Sequence, residues 1–372
     1  MKRRDFLTMA SGVLGLGATL GLPKQGRASG LDYESTGVEL LEGPPAHDGF
    51  AMPAEWTPHE RTLMQFLPPQ NWHGYQLRGA RAEWAAVANA VADFEPVTMA
   101  VRPQDVAAAK KLLSSEIELV PFPLNDGWSR DSGPMILTNG AGERRVAGFT
   151  FNGWGEKFPP YGADALAKAH FATHLGLPMH PVDLVMEGGA VALDGDGTLI
   201  TTEECLLNEN RNPGLSKAEV EAILKDWLGV ETVIWIPRGL TPDPITDGHI
   251  DGMAAFAAPG VVLLHISEDS GDPNQAITLE AKEILEQSRN AKGRRFEIIE
   301  IPLTSWDVVH MNFYICNGGI IVPVAGKASE DDLPLAIIRE AFPRHEVVPI
   351  TGRVIAQGGG GVHCITQQVP AV

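Results

Sequence analysis

The sequence predicts an α/β fold, and three observations carry that expectation. Apolar residues at helical spacing alternate along the chain with short β-branched runs. Glycine-rich breaks (Gly188-Gly189, Gly318-Gly319 and Gly358 to Gly361) recur after or between those runs. From Leu31 onward no low-complexity linker and no composition break divides the chain. Five or six helix-plus-strand units over about 340 residues give a repeated unit of roughly 65–70 residues, although identity between units is too low to establish a repeat.

The helices are expected at 79–93, 104–115, 163–175, 216–228, 275–290 and 330–341. The segment 216–228 is the best defined. Ser216 and Glu219 form a capping box, Val220, Ile223, Leu224 and Trp227 share one face, and Gly229 supplies the stop. Strands are expected at 97–101, 134–138, 182–186, 232–236, 261–264, 319–324 and 345–350. No G-x-G-x-x-G opens a helix after a first strand and no Walker pattern is present, which argues against nucleotide binding.

Composition narrows the function. The 372 residues are 44% hydrophobic and 20% charged, enough apolar material for a core and no case for global disorder. Acidic residues outnumber basic ones 47 to 29, a formal net charge of −18. That balance argues against nucleic acid as the main partner and suits a small cationic substrate. Cys205, Cys316 and Cys364 are too far apart for a disulfide framework or a Cys-based zinc cluster. Their odd number leaves at least one thiol without an intramolecular partner.

Residues 1–29 read as an address rather than as part of the fold. Lys2, Arg3 and Arg4 precede a glycine-rich apolar run from Met9 to Leu22, and Gly26-Arg27-Ala28 offers small residues for a signal peptidase. The run falls short of the roughly 20 residues a spanning helix needs. RRDFL resembles a twin-arginine export signal; the alternative is an ordinary disordered or anchoring N-terminus. Cleavage after Ala28 would remove five basic residues and one acid, leaving −22. The expectation is therefore a periplasmic or extracellular protein with one domain over 30–372 and no stable membrane span after cleavage.

Five polar clusters fall on glycine-punctuated segments, where side chains are free at the ends of a rigid sheet. Asn125 to Pro134 reads equally as a turn or as a site, in which Asp131 beside Trp128 would receive a planar cation. Glu187-Gly188-Gly189 follows an apolar run and either approaches a ligand closely or is a solvated surface acid. In Asp247 to Gly252, His249 and Asp251 are two apart and would share one face of a strand. They offer a catalytic imidazole with a cation-binding carboxylate, or two metal ligands, but no further ligand spacing supports a metal. Phe151 to Tyr161 reads as an ordered loop, lid or structural plug. The four glycines 358–361 lead into His363-Cys364, a setting that fits an activated nucleophile as well as a buried inert thiol. Cys205 and Cys316, among hydrophobic neighbours, are assigned to structure and Cys364 to chemistry.

Together these clusters resemble the agmatine deiminase family, within the wider guanidine-modifying group that includes bacterial peptidylarginine deiminases. The match runs from Met52-Pro53-Ala54-Glu55-Trp56 and Pro58-His59-Glu60-Arg61-Thr62 to His363-Cys364-Ile365-Thr366. Between them lie NDGWSRDSGP, FNGWGEKFPPY, MEGGA, LITTEECLLNENRNP, IPRGL, DGHID and NFYICNGGIIVP, in family order. The resemblance implies a five-bladed pseudo-symmetric α/β propeller and a covalent mechanism without metal or cofactor. It further implies that Cys364 attacks the guanidinium carbon, that Asp131 and Asp251 hold its nitrogens, and that Glu187 and His249 complete the acid–base machinery. Glu156, Gly252 and Gly361 depart from the family pattern on loops near the expected pocket. The function implied is deimination of agmatine to N-carbamoylputrescine and ammonia, with peptidyl-arginine or another ω-guanidino compound as alternative substrates. A reading from another class is an exported binding protein that captures cationic guanidines without turnover. A homo-oligomer is compatible with the sequence.

Overall fold

The computed structural model describes residues 30–372 apart from His73 and Trp306, so the expected export signal at 1–29 lies outside the described residues. The described chain is an α/β structure of five separate small mixed sheets. Four of them repeat one plan. A hairpin is followed by a helix and a third strand parallel to the second: Met135–Thr138, Arg144–Thr150 and Met179–Val185, with the helix Ala167–Leu175 in the crossover. The next unit uses Val191–Leu193, Thr198–Thr202 and Thr232–Ile236 around Lys217–Leu228. Ala254–Ala258, Val261–Ile266 and Glu297–Pro302 follow around Asn274–Gln287. The last is Tyr314–Cys316, Gly319–Val324 and Glu346–Thr351 around Ala328–Ala341.

The remaining sheet completes the plan with strands from both ends of the chain. His59–Gln65 runs parallel to Val97–Val101 across the helix Gly74–Ala92, and its antiparallel partner is Gln367–Pro370 from the C-terminus. Glu118–Pro121 adds a fourth, parallel strand. Successive hairpins begin at Met135, Val191, Ala254 and Tyr314, roughly 60 residues apart. That is shorter than the sequence suggests, because residues 30–58 contribute only 3-10 turns and isolated bridges to the length.

Burial explains why some strands announce themselves. Val97–Val101 and Gly319–Val324 are buried along their whole length and read as continuous apolar runs. Edge strands such as Glu297–Pro302 and Glu346–Thr351 carry exposed glutamates, which blunt an open edge. Lys217–Leu228 forms with the expected capping box and buries Val220, Leu224 and Leu228, and Gly229 closes it in the left-handed region (φ 67°) that favours glycine. The helix expected at 104–115 is a correction: only Pro103–Asp105 and Val106–Ala109 are helical. Asp105 gives its carboxylate to Arg81 and Arg102 instead of capping the turn. The helix expected at 163–175 breaks at Leu166 into Gly162–Ala165 and Ala167–Leu175. No described helix is long and apolar enough to cross a membrane.

Candidate active site

Each sheet presents a short turn just ahead of its first hairpin strand, and these five turns converge. Asp131 lies in the turn Ser129–Ser132, ahead of Met135–Thr138. Glu187 precedes the turn Gly188–Ala190 and the strand at Val191. His249 and Asp251 flank the start of the turn Ile250–Gly252, ahead of Ala254. Asn312 stands two residues ahead of Tyr314, and Cys364 lies in the turn His363–Ile365, ahead of Gln367. His249 and Asp251 are therefore not on a strand, as their spacing suggests, although both face the same centre. The glycine beside them stops a strand from forming: Gly248 has φ 84°, and the carbonyl of Ile250 closes the turn on Met253.

The six residues singled out from the sequence come together. Cys364 Sγ lies 3.6 Å from Asp251 Oδ2. His249 lies between Asp131 (3.9 Å) and Glu187 (3.4 Å). Trp128, Asp131 and Cys364 line one cavity of about 310 Å3. Asp131 and Cys364 form its buried floor, Trp128, Trp154 and Phe158 wall it, and the exposed Gln357 stands at its rim. Its other polar lining includes Gln70, Asn71, Gln76 and Asp126, and no lysine or arginine contributes to it among the described residues. Trp128 is braced by the edge of Trp84, 5.2 Å between centroids.

Gly189 lets three site side chains pack directly against the backbone. A Cβ there would fall 2.6 Å from His249 Nδ1, 2.9 Å from Asp251 Oδ2 and 3.0 Å from Asp131 Oδ1. The glycine run 358–361 has a similar cause. Added Cβ atoms would strike Trp72, Ile245, Trp128 and Asn312 in turn, so the bare backbone is what lets these side chains close around the thiol.

The electrostatics follow from burial and partners. Burial pushes Asp131 up to about 6 against the pull of His249. Trp154 Nε1 donates to its Oδ2 (2.9 Å) and the Gly189 N–H to its Oδ1 (3.1 Å). Burial also raises Glu187, but the Arg211 guanidinium at 2.8 Å and His249 outweigh it and hold the carboxyl below its ordinary range. His249 is held well above the ordinary imidazole range. Burial opposes its charge, but Asp131, Glu187 and the neighbouring Cys205 favour it. Asp251 stays low despite burial because His363 donates to it from Nδ1 (2.9 Å). His363 in turn reaches Glu55 from Nε2 (2.7 Å), and Arg130 pairs with that same carboxylate. Cys364 is the opposite case: burial and the charges of Asp251 and Asp131 push its thiol well above the ordinary range.

Sequence reasoning missed four supporting residues. Asn312 Oδ1 accepts from the Cys364 N–H and from its thiol, both at 3.3 Å. Arg211 orients Glu187 and anchors Asp247 (2.8 Å), while Trp154 orients Asp131. Cys205, assigned to structure, is fully buried but lies 3.9 Å from Glu187 Oε2, against the acid–base pair. Donor atoms of Glu187, Cys205 and His249 lie within 4.8 Å of one another, the spacing of a metal triad. Glu187 is already engaged by Arg211 and His249, which fits an ion-pair network with no open donor set.

Residues 51–370 match the family of Porphyromonas-type peptidyl-arginine deiminases. An agmatine deiminase of Pseudomonas aeruginosa is 41% identical over 360 residues, covering 88% of this chain and 97% of that protein. One of Stutzerimonas stutzeri is 40% identical over 368 residues, covering 90% and 99%. Among solved structures, the agmatine deiminase of Enterococcus faecalis matches with a TM-score of 0.86 at 32% identity, covering 90% of this chain and 99% of that one. An agmatine deiminase of C. jejuni with substrate bound matches with a TM-score of 0.78 at 26% identity, covering 86% and 96%.

Proposed function

The chain belongs to the Porphyromonas-type peptidyl-arginine deiminase family, and from that premise we propose that it hydrolyses agmatine to N-carbamoylputrescine and ammonia through a covalent intermediate on Cys364. One observation carries the reading. Cys364 and Asp131 lie at the floor of a cavity walled by tryptophans, with the Asp251 carboxylate 3.6 Å from the thiol and the His249 imidazole 3.9 Å from Asp131.

A guanidinium is a poor electrophile because resonance spreads its charge, so it must be held flat and charged for attack. Asp131 and Asp251 bind its nitrogens. The bound cation offsets the two negative charges that keep the Cys364 thiol protonated, so substrate binding promotes loss of the thiol proton to solvent and leaves the thiolate. The thiolate adds to the central carbon. His249, an imidazolium oriented by Glu187, gives its proton to the departing amine, and ammonia leaves a thiouronium. The neutral imidazole then deprotonates the attacking water. The C–S bond breaks last, releasing the ureido product.

Agmatine is favoured over free arginine because the cavity offers Asp126 and amides but no cation for an α-carboxylate. The five sheets are best read as the blades of a pseudo-symmetric propeller, with Gln367–Pro370 joining the last blade to the first. Export by the twin-arginine route, into the periplasm or beyond, remains part of the proposal. Equal cytoplasmic retention of the wild type and an Arg3→Lys/Arg4→Lys variant would refute it.

The deciding experiment incubates the protein with agmatine, arginine and a blocked arginine peptide, and measures ammonia and ureido product. Agmatine is expected to turn over fastest. Capture of agmatine without turnover would leave only a binding protein, and retained turnover in Cys364→Ser would remove the covalent step.

A further inference from the structure

The catalytic thiol has a second cavity on its other side. This space of about 80 Å3 is lined by His249, Asp251, Asn312 and Cys364, with Gly252 and Val309 among its walls. The exposed Pro242 belongs to its lining, so it runs from the surface to the reacting groups. Thr246, Gly359, Gly360 and Cys364 are common to both cavities and form the partition between them. His249, Asp251 and Asn312 line only the smaller one. The imidazole thus opens onto the small cavity, and its Nδ1 is buried without a hydrogen-bond partner.

The chemistry needs such a route, if the deimination proposed above is correct. In the thiouronium state the substrate's tail is still attached and fills the larger cavity, while water must reach the same carbon. A water molecule needs about 10–15 Å3 and two to four polar partners. The small cavity provides room for several waters, and His249, Asp251 and Asn312 supply the partners.

We propose that the hydrolytic water enters through this second cavity, independently of the substrate, and that Gly252 keeps the route open. A Cβ at Gly252 would meet nothing nearer than Val309 Cγ1 at 4.0 Å, so the position has space for a side chain and leaves it unfilled. In the step served, the water oxygen forms a bond to the thiouronium carbon while neutral His249 takes one water proton. The C–S bond then breaks and its electron pair returns to Cys364 as thiolate. The remaining hydroxyl proton is lost to solvent as the C=O forms. Thiolate and imidazolium are restored, and the released proton is balanced by ammonia becoming ammonium.

The test fills the cavity from two walls, with Gly252→Leu and, separately, Val309→Phe, and keeps Gly252→Ala as a control. Wild type and variants are mixed with agmatine, followed through the first turnover, quenched, and examined by intact-protein mass spectrometry. The expected result is a stoichiometric burst of ammonia, a steady-state rate lowered about tenfold or more, and a Cys364 adduct in either filled variant. Gly252→Ala should stay within about twofold of wild type. Wild-type turnover with adduct-free, wild-type rates in a folded filled variant overturns the water route alone. A filled variant that is slow but shows neither burst nor adduct also overturns it, because the block then precedes hydrolysis. No ureido product from the wild type overturns the activity itself, and the route falls with it.

Discussion

Trp154→Phe tests whether Trp154 acts on Asp131 or merely walls the pocket. The substitution keeps an aromatic ring and the backbone (φ 56°), and removes one interaction, the indole N–H donated to Asp131 Oδ2 at 2.9 Å. A hydrogen bond to a charged group contributes about 1.5–3 kcal/mol. At about 1.4 kcal/mol per pKa unit, its loss should move Asp131 from about 6 to roughly 7–8. The ionised form binds the cation; it is present above the pKa and lost as pH falls through it. At pH 7 the ionised fraction should therefore drop from about nine-tenths to between a half and a tenth, and kcat/KM about 2–10-fold through this effect. The assay is kcat/KM for agmatine from pH 5 to pH 9. The acid limb of the variant should shift upward, and the deficit should narrow toward pH 9. Stability gives a second readout. Below the unfolded pKa the carboxyl is protonated in both states and the lost hydrogen bond to the anion costs nothing; above the folded pKa its full cost appears. Melting should therefore suffer more at pH 9 than at pH 4. A deficit that is the same at every pH would refute the reasoning and leave Trp154 as a wall.

Three further outcomes follow from the same geometry. Gly189→Ala places a methyl within 3.0 Å of His249, Asp251 and Asp131, so kcat/KM should fall about 100-fold or more, read against an unchanged far-UV spectrum. Arg211→Met leaves Glu187 buried with His249 and the Cys205 thiol as its remaining partners. Breaking such a pair costs about 3–5 kcal/mol, so denaturant melts should show that loss together with a fall in kcat. Ser216→Ala removes the capping oxygen from Lys217–Leu228 and should cost about 1 kcal/mol of stability with kcat unchanged, since the helix lies outside the site.

What the sequence made legible follows the distance over which each feature is determined. Val97–Val101, Thr232–Ile236 and Gly319–Val324 coincide with their expected bounds because each carries its own apolar run. Gln367–Pro370 gives no such sign. It is polar, yet fully buried, and its partner His59–Gln65 comes from the far end of the chain. The same limit applies to the site. Asp131, Glu187, His249, Asp251 and Cys364 stand in polar, glycine-marked turns and could be read locally. Asn312 lies in an apolar segment, and Arg211 and Trp154 earn their roles only through residues 24 and 23 positions away. One signal could have found Asn312. The other four sheets each place a site residue a few positions ahead of the first hairpin strand, so a polar residue just before Tyr314 is the one to look for.

The acidity of the chain, weak as bulk information, becomes specific at the site because the same charges do opposite things to the two reactants. Asp131 and Asp251 oppose ionisation of Cys364 while the cavity is empty, and they attract a planar cation into it. The cation then removes the penalty on the thiolate, so nucleophile and electrophile become reactive in the same event. A thiol protected in this way is less exposed to oxidants between turnovers than a resting thiolate would be. The ureido product has the substrate's shape but no charge at the reacting end. It loses the pairing with both carboxylates at the moment the C–S bond breaks, so the interactions that hold the cation for attack do not hold the product.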